Sequence, residues 1–153
     1  MRVIEPWVAE PLQSFLDESG ARLTLLMTSA GQVIAQDGFT RSVDVMAAAA
    51  LGAAIVASTD AIADIMTTSA FGVVLHQGPK QSLVLRAFPT PRGRWIGLVV
   101  FGSETSVGLV QLFFQELAEG LAKAAPPAPA TRAVLAENFE YELNASLRSL
   151  FGR

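Results

Sequence analysis

The sequence predicts an α+β fold in which helices pack on a five-stranded antiparallel sheet. Three observations predict it: short runs of strand-forming residues bounded by glycine or proline turns, a long alanine-rich run between them, and amphipathic helical patterns before and after the strands. The predicted order is α-β-β-α-β-β-β-α. With 153 residues, the chain is long enough for one domain of common size with a short appendage.

The first helix and the first hairpin are predicted from local spacing. Apolar residues recur at helical intervals over Pro6–Ser19, and Gly20 is placed to end that helix. Pro11 would interrupt the helix or restart it, because proline removes a backbone hydrogen bond from a helix interior. The run Ala21–Thr28 is rich in strand formers, and Gln32–Gln36 returns after a glycine turn. These two runs predict a β-hairpin.

Residues 42–66 predict a long helix with Ser42 or Asp44 as its N-cap. Between Asp44 and Asp60 no charged side chain occurs, and most of the residues are small. A surface helix of a single domain normally carries one polar face, so we expect this helix to be covered on both sides. A sheet would cover one side, and small residues such as Gly52 would let a second helix come close on the other.

A transmembrane span is the alternative for the same segment, since closely packed small residues are also common in membrane helices. A span needs about 20 predominantly apolar residues. The apolar run is shorter than that, is interrupted by Ser58 and Thr59, and lacks basic flanks. These features favour packing between a sheet and a partner helix, without membrane insertion.

Three further strands and a helix complete the predicted domain. The strands are Phe71–Gln77, Ser82–Phe88 and Arg94–Phe101, separated by Gly-Pro and Pro-x-Pro turns. The last of them is the most continuously apolar, which places it near the centre of the sheet. A helix follows over about 104–124, with a broad apolar face and a charged outer side.

The C-terminal region predicts a tethered amphipathic helix. We divide the chain into a domain at 6–124, a Pro/Ala-rich linker at 125–132 and a helix at 133–151. At the polyproline rise of about 3.1 Å per residue, the linker reaches roughly 25 Å. Such a helix docks either on its own domain or in a groove of a partner, and the sequence leaves both open.

Composition limits the classes of function. Apolar residues make up 51% of the chain and charged residues 16%, which favours an oligomer or a permanent binding face. The net charge of −3 does not suggest a nucleic-acid-binding protein, which normally has a basic patch. The chain has no cysteine and no N-terminal pattern of a signal peptide, so we expect a cytoplasmic location.

The sequence offers no catalytic, metal or cofactor site. The single histidine, His76, has no H-E-x-x-H spacing around it, and no phosphate-binding glycine motif occurs. Arginines could instead act on the nucleotide of a partner, with Arg41, Arg92 and Arg94 as candidates, although the simpler interpretation, solvated loop arginines, is favoured for each. A small enzyme of unknown class is the least favoured interpretation, because no acid, base and nucleophile can be grouped.

Several segments together resemble the roadblock/dynein light-chain family. They are GARLTLLMTSAGQVIAQ before the alanine-rich helix, FGVVLHQGPKQSLVLRAF, and RWIGLVVFGSETSVGLVQLFFQELAEGLAKA. The sequence is most similar to bacterial members that act as partners of a small Ras-like GTPase. The resemblance covers roughly residues 8–124 and, more loosely, 133–151.

The resemblance implies a homodimer. Roadblock proteins pair their third strands edge to edge and bring their long second helices together on one face of the joined sheet. Here those elements would be Phe71–Gln77 and Val43–Met66. The implied dimer interface comprises Ala48, Leu51, Gly52, Ile55, Phe71, Val73 and Leu75.

The resemblance also implies a regulator of a small Ras-like GTPase in bacterial polarity or motility, with a polar location as an option. Such dimers accelerate GTP hydrolysis without donating an arginine, and their C-terminal helix can favour nucleotide exchange. The alternative is a roadblock scaffold that binds a GTPase or another complex without changing turnover. The implied GTPase-binding residues are Ala47, Ala50, Ala54, Leu135, Phe139, Leu143 and Leu147.

Overall fold

The computed structural model describes residues 1–41, 43–127 and 141–150. It confirms the α+β class and the predicted order of the main elements, with helices on both faces of one antiparallel sheet. The strands are β1 Arg2–Val3, β2 Leu23–Thr28, β3 Val33–Gly38, β4 Val74–Gln77, β5 Ser82–Thr90 and β6 Gly93–Phe101. The helices are α1 Ala9–Ser19, α2 Val45–Ile65 and α3 Val107–Ala124, with a 3₁₀ turn at Pro6–Val8.

The sheet has six strands, one more than the five predicted. Its order is β1-β3-β2-β6-β5-β4, which places β6 inside the sheet as predicted. The additional strand, β1, pairs with β3 through Arg2 opposite Gln36 and Val3 opposite Ala35. The folded unit therefore includes residues before position 6, which was predicted as its start. A strand of two residues is too short to show periodicity, which is why the sequence pattern missed it.

The first helix tolerates its proline. Pro11 is the third residue of α1, and the N–H groups of the first helical turn have no intrahelical acceptor in any case. A 3₁₀ turn leads into α1, and Gly20 ends it in the left-handed conformation with φ of 71°. Pro11 therefore neither breaks nor restarts the helix.

Bulky side chains fill the core between the sheet and the pair α1 and α3. The Phe114 ring packs edge to face against Phe15 and Phe88, with centroids 5.8 and 5.3 Å apart. Trp7 stacks on Trp95 with centroids 5.6 Å apart. Gly97 of β6 lies under the Phe114 ring, where an added Cβ would collide with ring carbons. This face of the sheet is buried by two helices and their aromatic residues.

A thinner layer covers the other face. Only α2 lies there among the described helices, and its small residues pack on Leu25, Leu85 and Leu98. Asp44 rather than Ser42 is the observed cap, since its side chain accepts a hydrogen bond from the Ala47 N–H at 3.1 Å and residue 42 lies outside the described residues. The helix continues without a break past Ser58. The Ser58 hydroxyl is satisfied within the helix, since it donates to the Ala54 carbonyl.

The length argument against a membrane span was wrong. The helix α2 has 21 residues and a mean hydropathy of 1.8 over its most apolar window, so length and composition alone would allow it to cross a membrane. Its contacts favour the other interpretation, since one side packs on the sheet and Asp60 in its last third pairs with Arg94 at 2.8 Å. We therefore describe α2 as a layer of the domain.

Candidate interaction surface

The two sides of α2 differ completely in exposure. The side that faces the sheet is buried at Ala49, Gly52, Ala53, Val56 and Ala63. The opposite side is apolar and open to solvent: Met46 is 79% exposed, Leu51 66% and Ile65 82%. Among residues 1–41, 43–127 and 141–150, the sheet is therefore the one cover of α2, and the second cover that the sequence predicts stays a prediction.

The predicted GTPase-binding alanines lie together on this open side. Ala47, Ala50 and Ala54 are all exposed, and their spacing of three and four residues places them in one stripe along α2. Larger side chains at Met46, Leu51 and Ile65 border the stripe and extend it. Together they form an exposed apolar surface, which we call the α2 stripe: Met46, Ala47, Ala50, Leu51, Ala54, Ile62 and Ile65.

Sequence reasoning missed Met46, Ile62 and Ile65 as surface residues. They repeat at helical spacing like core residues, and the spacing alone does not say which side of an all-apolar helix faces the sheet. The sequence signal that could have identified them is the size of their side chains. Small residues allow α2 to lie close to the sheet, so the large ones are left on the outer side.

The structure gives Gly52 a role inside the chain, and whether it also lies at a seam between two helices stays a prediction. Gly52 faces the sheet, and an added Cβ would lie 3.3 Å from side-chain carbons of both Leu85 and Leu98. The missing side chain therefore lets α2 approach its own sheet. It does not by itself indicate a second helix.

All four helix residues of the predicted dimer interface, Gly52 included, line one groove. This groove has a volume of about 620 Å³ and opens between one flank of α2 and the sheet. Its floor is formed by Leu23, Val100 and Leu83, which lie opposite one another in β2, β6 and β5. The α2 wall consists of Ala48, Leu51, Gly52 and Ile55.

The predicted dimer strand is shorter than expected. Strand β4 begins at Val74, so Phe71 and Val73 precede it, and Phe71 is partly exposed. Val73 packs against the core under α1 and α3, and Leu75 is the register partner of Val84 in that same core. Strand β4 is the last strand in the sheet order, so its outer edge has no strand partner among the described residues.

The predicted tail residues are only partly described. Residues 141–150 are helical, and Leu143 and Leu147, four residues apart on one side of that helix, are 48% and 42% exposed. Leu135 and Phe139 lie outside the described residues. The domain boundaries at 125–132 and 133–151 stay predictions.

Ion pairs hold the borders of the domain. Arg22 before β2 binds Glu104 before α3 through two hydrogen bonds of 2.7 and 3.0 Å, and this contact lowers the pKa of Glu104. Asp60 of α2 accepts hydrogen bonds from both terminal nitrogens of Arg94 and raises the pKa of Arg94. These pairs fix the loop before β2 and the second half of α2.

The candidate arginines and the histidine form no reactive group among the described residues. Arg94 is held by Asp60, Arg92 donates to the Pro126 carbonyl at 3.5 Å, and Arg41 is exposed in the loop before α2. His76 is exposed in β4. Within the ranges that the structure describes, no three His, Asp or Glu side chains come together as a metal site would require.

Comparison with known proteins identifies the fold. No family model matches the sequence, and no curated protein matches it. Among solved structures, Myxococcus xanthus MglB superimposes with a TM-score of 0.71 at 26% identity, covering 78% of this chain and 95% of that one. The gliding protein MglB of Thermus thermophilus gives 0.69 at 26% identity, covering 80% and 94%.

Two further structures extend the comparison. MglB in a tetrameric arrangement gives a TM-score of 0.67 at 28% identity, covering 77% of this chain and 87% of that one. A roadblock/LC7 domain from Streptomyces avermitilis gives 0.61 at 13% identity, covering 70% and 88%, which supports the fold alone. The chain thus folds as a roadblock domain. Within that class it is similar to MglB, as three MglB structures show, each matched over 87% or more of its own length.

Proposed function

We propose that this chain is a homodimeric regulator of a small Ras-like GTPase of the MglA type and that it stimulates GTP hydrolysis by that GTPase. The observation that carries the proposal is the α2 stripe, a solvent-exposed apolar surface on a domain whose other described features offer no chemistry of their own. The similarity to MglB supports the choice of partner. The protein would act in the cytoplasm, in bacterial polarity or motility.

The homodimer is supported by two open features on neighbouring elements. Strand β4 presents an edge that can pair with the same strand of a second copy, since an unpaired strand carries free N–H and C=O groups. The groove beside α2 exposes Leu83, whose register partner in β4 is His76, so groove and edge are adjacent. An MglB structure with a tetrameric arrangement is a precedent for self-association in a similar protein.

The proposed mechanism is contact without a donated arginine. Two of the three candidate arginines already have partners within the chain, with Arg94 on Asp60 and Arg92 on the Pro126 carbonyl. The small side chains of the α2 stripe instead allow the mobile segments of a GTPase to lie close to the helix. Holding those segments would place the catalytic residues of the GTPase itself around its nucleotide, which is positioning rather than chemistry.

Single-turnover GTP hydrolysis by an MglA-type GTPase, with and without this protein, tests the proposal. We expect acceleration with the unchanged chain and its loss with Ala54→Arg, because a charge at the centre of an apolar contact is costly to desolvate. Ala122→Arg, at an exposed position of α3, is the matched control and should keep the acceleration. Binding with unchanged turnover would refute stimulation and favour the scaffold alternative.

For the tail, we propose a separate contact with the GTPase that promotes nucleotide exchange. Leu143 and Leu147 form a partly exposed apolar pair on one side of the helical segment 141–150. Removing residues 126–153 should slow the release of a labelled nucleotide and leave the acceleration of hydrolysis in place. Equal release rates with and without these residues would contradict this role.

A further inference from the structure

The surface formed by α1 and α3 contains a second groove, on the face of the sheet opposite α2. It has a volume of about 480 Å³ and runs between the two helices. Its apolar lining includes Trp7, Pro11 and Phe113, each only partly buried. The exposed side chains of Leu109 and Leu112 continue the apolar surface along the preceding turn of α3. We call this the α1–α3 groove.

The floor of the α1–α3 groove is rigid. Trp7 is stacked on the buried Trp95, and its indole N–H donates to Glu5 at 3.3 Å. Phe113 neighbours the core residue Phe114 on α3 and packs against the same core. Aromatic side chains that are already fixed lose little conformational entropy when a ligand binds, so a floor of this kind favours association.

The rim of the α1–α3 groove is acidic. Glu10 and Glu18 of α1 line it on one side and Glu116 of α3 on the other. Together α1 and α3 carry five carboxylates and one ammonium group, Lys123 in the last turn of α3. A ligand that fits this rim must therefore carry positive charge beside its apolar residues.

Charge excludes the occupants available within this chain. The predicted C-terminal helix at 133–151 has three acidic residues and one basic residue, Arg148, so it would bring like charge to the rim. A second copy docking through α2 would also bring acidic residues, since α2 and its cap carry Asp44, Asp60 and Asp64 and no base. A second copy docking through α1 and α3 would place two acidic rims together.

We propose that the α1–α3 groove binds a basic amphipathic helix of another protein. At 1.5 Å per residue, the 11 residues of α1 span about 16 Å, which matches three turns of a guest helix. Apolar residues of the guest at i, i+3 or i+4, and i+7 would cover Trp7 and Phe113, and its lysines or arginines would face the three glutamates. The groove lies across the sheet from the α2 stripe, so this contact does not depend on the proposed GTPase contact and leaves that surface free.

The test uses the full chain and a synthetic 14-residue peptide in which leucines at helical spacing form one face and lysines the other. Its affinity is measured by calorimetry, and its position by NMR. We expect saturable binding that shifts the Trp7 indole signal and leaves the amides of the α2 stripe, which serve as the internal control, unchanged. The same peptide with glutamates for lysines, and one with the residue order scrambled, should not bind.

Variants locate the contact. The double variant Glu18→Gln with Glu116→Gln should weaken binding about tenfold, as expected for two exposed ion pairs lost. Asp64→Asn, which removes an exposed charge from α2, should change it by less than about twofold. Ser14→Trp, which fills the groove with a new side chain, should abolish binding while the circular dichroism spectrum stays unchanged.

Several outcomes would overturn the proposal. They are no saturable binding, equal binding of the acidic or scrambled peptide, equal effects of the Glu18/Glu116 and Asp64 variants, or tighter binding of a peptide with the sequence of residues 133–151. None of these measurements includes a GTPase, so a failure here is separate from a failure of the proposed function.

Discussion

The two helical layers of this domain cover the same sheet in opposite ways. On one face, α1 and α3 bury aromatic and leucine side chains, and Phe114 and Leu121 are almost completely inaccessible. On the other face, α2 buries mainly alanine and glycine, while its large residues Leu51 and Ile65 point to solvent. The first layer therefore buries more apolar side-chain area, and the second leaves a larger part of its apolar side chains open to solvent.

This difference follows from the amount of apolar area that each layer removes from water. The hydrophobic contribution is about 25 cal/mol per Å² of buried apolar surface, so buried alanines contribute far less than buried phenylalanines. A helix that is held mainly by small residues can lie close to the sheet. Its attachment then depends more on close packing than on the amount of apolar area that it buries. We expect substitutions in the two layers to separate stability from association.

The largest effect is expected in the aromatic layer. Phe114→Ala removes the ring that contacts Phe15 and Phe88 and leaves a cavity, which should lower the free energy of unfolding by about 3–5 kcal/mol. Urea denaturation measures this. Leu112→Ala, at an exposed position of the same helix, is the control and should change the free energy of unfolding by less than about 0.5 kcal/mol. Equal effects would contradict the assignment of stability to this core.

A smaller loss is expected where α2 meets the sheet. Gly52→Leu would force a side chain between α2 and the leucines Leu85 and Leu98, at a cost of about 1–3 kcal/mol in unfolding free energy. Ala54→Leu, on the exposed side of the same helix, should be nearly neutral. If Gly52→Leu unfolds like the unchanged chain, α2 does not lie against the sheet at this point.

Association should respond to substitutions on the outer side of α2 and should not respond to those on the outer side of α3. Under the proposed dimer, Leu51→Glu should raise the dimer dissociation constant about tenfold or more, which corresponds to at least about 1.4 kcal/mol. The spectrum of the folded monomer should not change, because Leu51 is exposed. Sedimentation across a concentration series measures the constant, with Leu112→Glu as the exposed control on α3. A dimer that tolerates Leu51→Glu and dissociates only with Leu112→Glu would place the contact on the opposite layer.

The smallest effect concerns the border between β2 and α3. The hydrogen bond from Arg22 lowers the pKa of Glu104 in the folded chain, so the pair stabilises the fold above the ordinary carboxyl pKa. That stabilisation is lost as the pH falls through the lowered pKa. NMR titration of the Glu104 carboxyl should give a midpoint below that of free glutamate, and Arg22→Gln should return it towards the ordinary value. An unchanged midpoint in the variant would contradict this cause.

The fold could be predicted largely from sequence because its periodicities are long enough to see. The helix α3 repeats its apolar residues over five turns, and β6 is apolar along most of its length. The strand β1 could not be found, because two residues carry no period and its pairing with β3 depends on contacts across the whole hairpin. The effect of Pro11 on α1 could not be predicted either. It depends on whether the proline lies within the first turn, and the spacing of apolar residues does not fix where the helix begins.

The candidate site could be predicted only in part. The alanines Ala47, Ala50 and Ala54 lie on the open side of α2 as the resemblance implied, although whether they bind a GTPase stays a prediction. Gly52 was predicted at a contact between two chains, and the structure shows it in close contact with its own sheet, because a small residue fits either kind of contact equally well. The contact inside the chain can be recognised only once the positions of Leu85 and Leu98 beside Gly52 are known. The α1–α3 groove was not anticipated, since its two walls are about 100 residues apart in the chain.

The short strand β1 has a consequence for assembly. An open sheet can add strands at both of its edges and grow into a ribbon, with each new molecule exposing another edge. Here one outer edge belongs to β1, whose two residues offer too short a ladder to hold another molecule, while the other belongs to β4. In the proposed dimer, growth through β4 would end with one addition, because the joined sheet would have a β1 at each of its ends. Under that proposal, the two-residue strand β1 would keep the assembly from growing beyond the joined sheet.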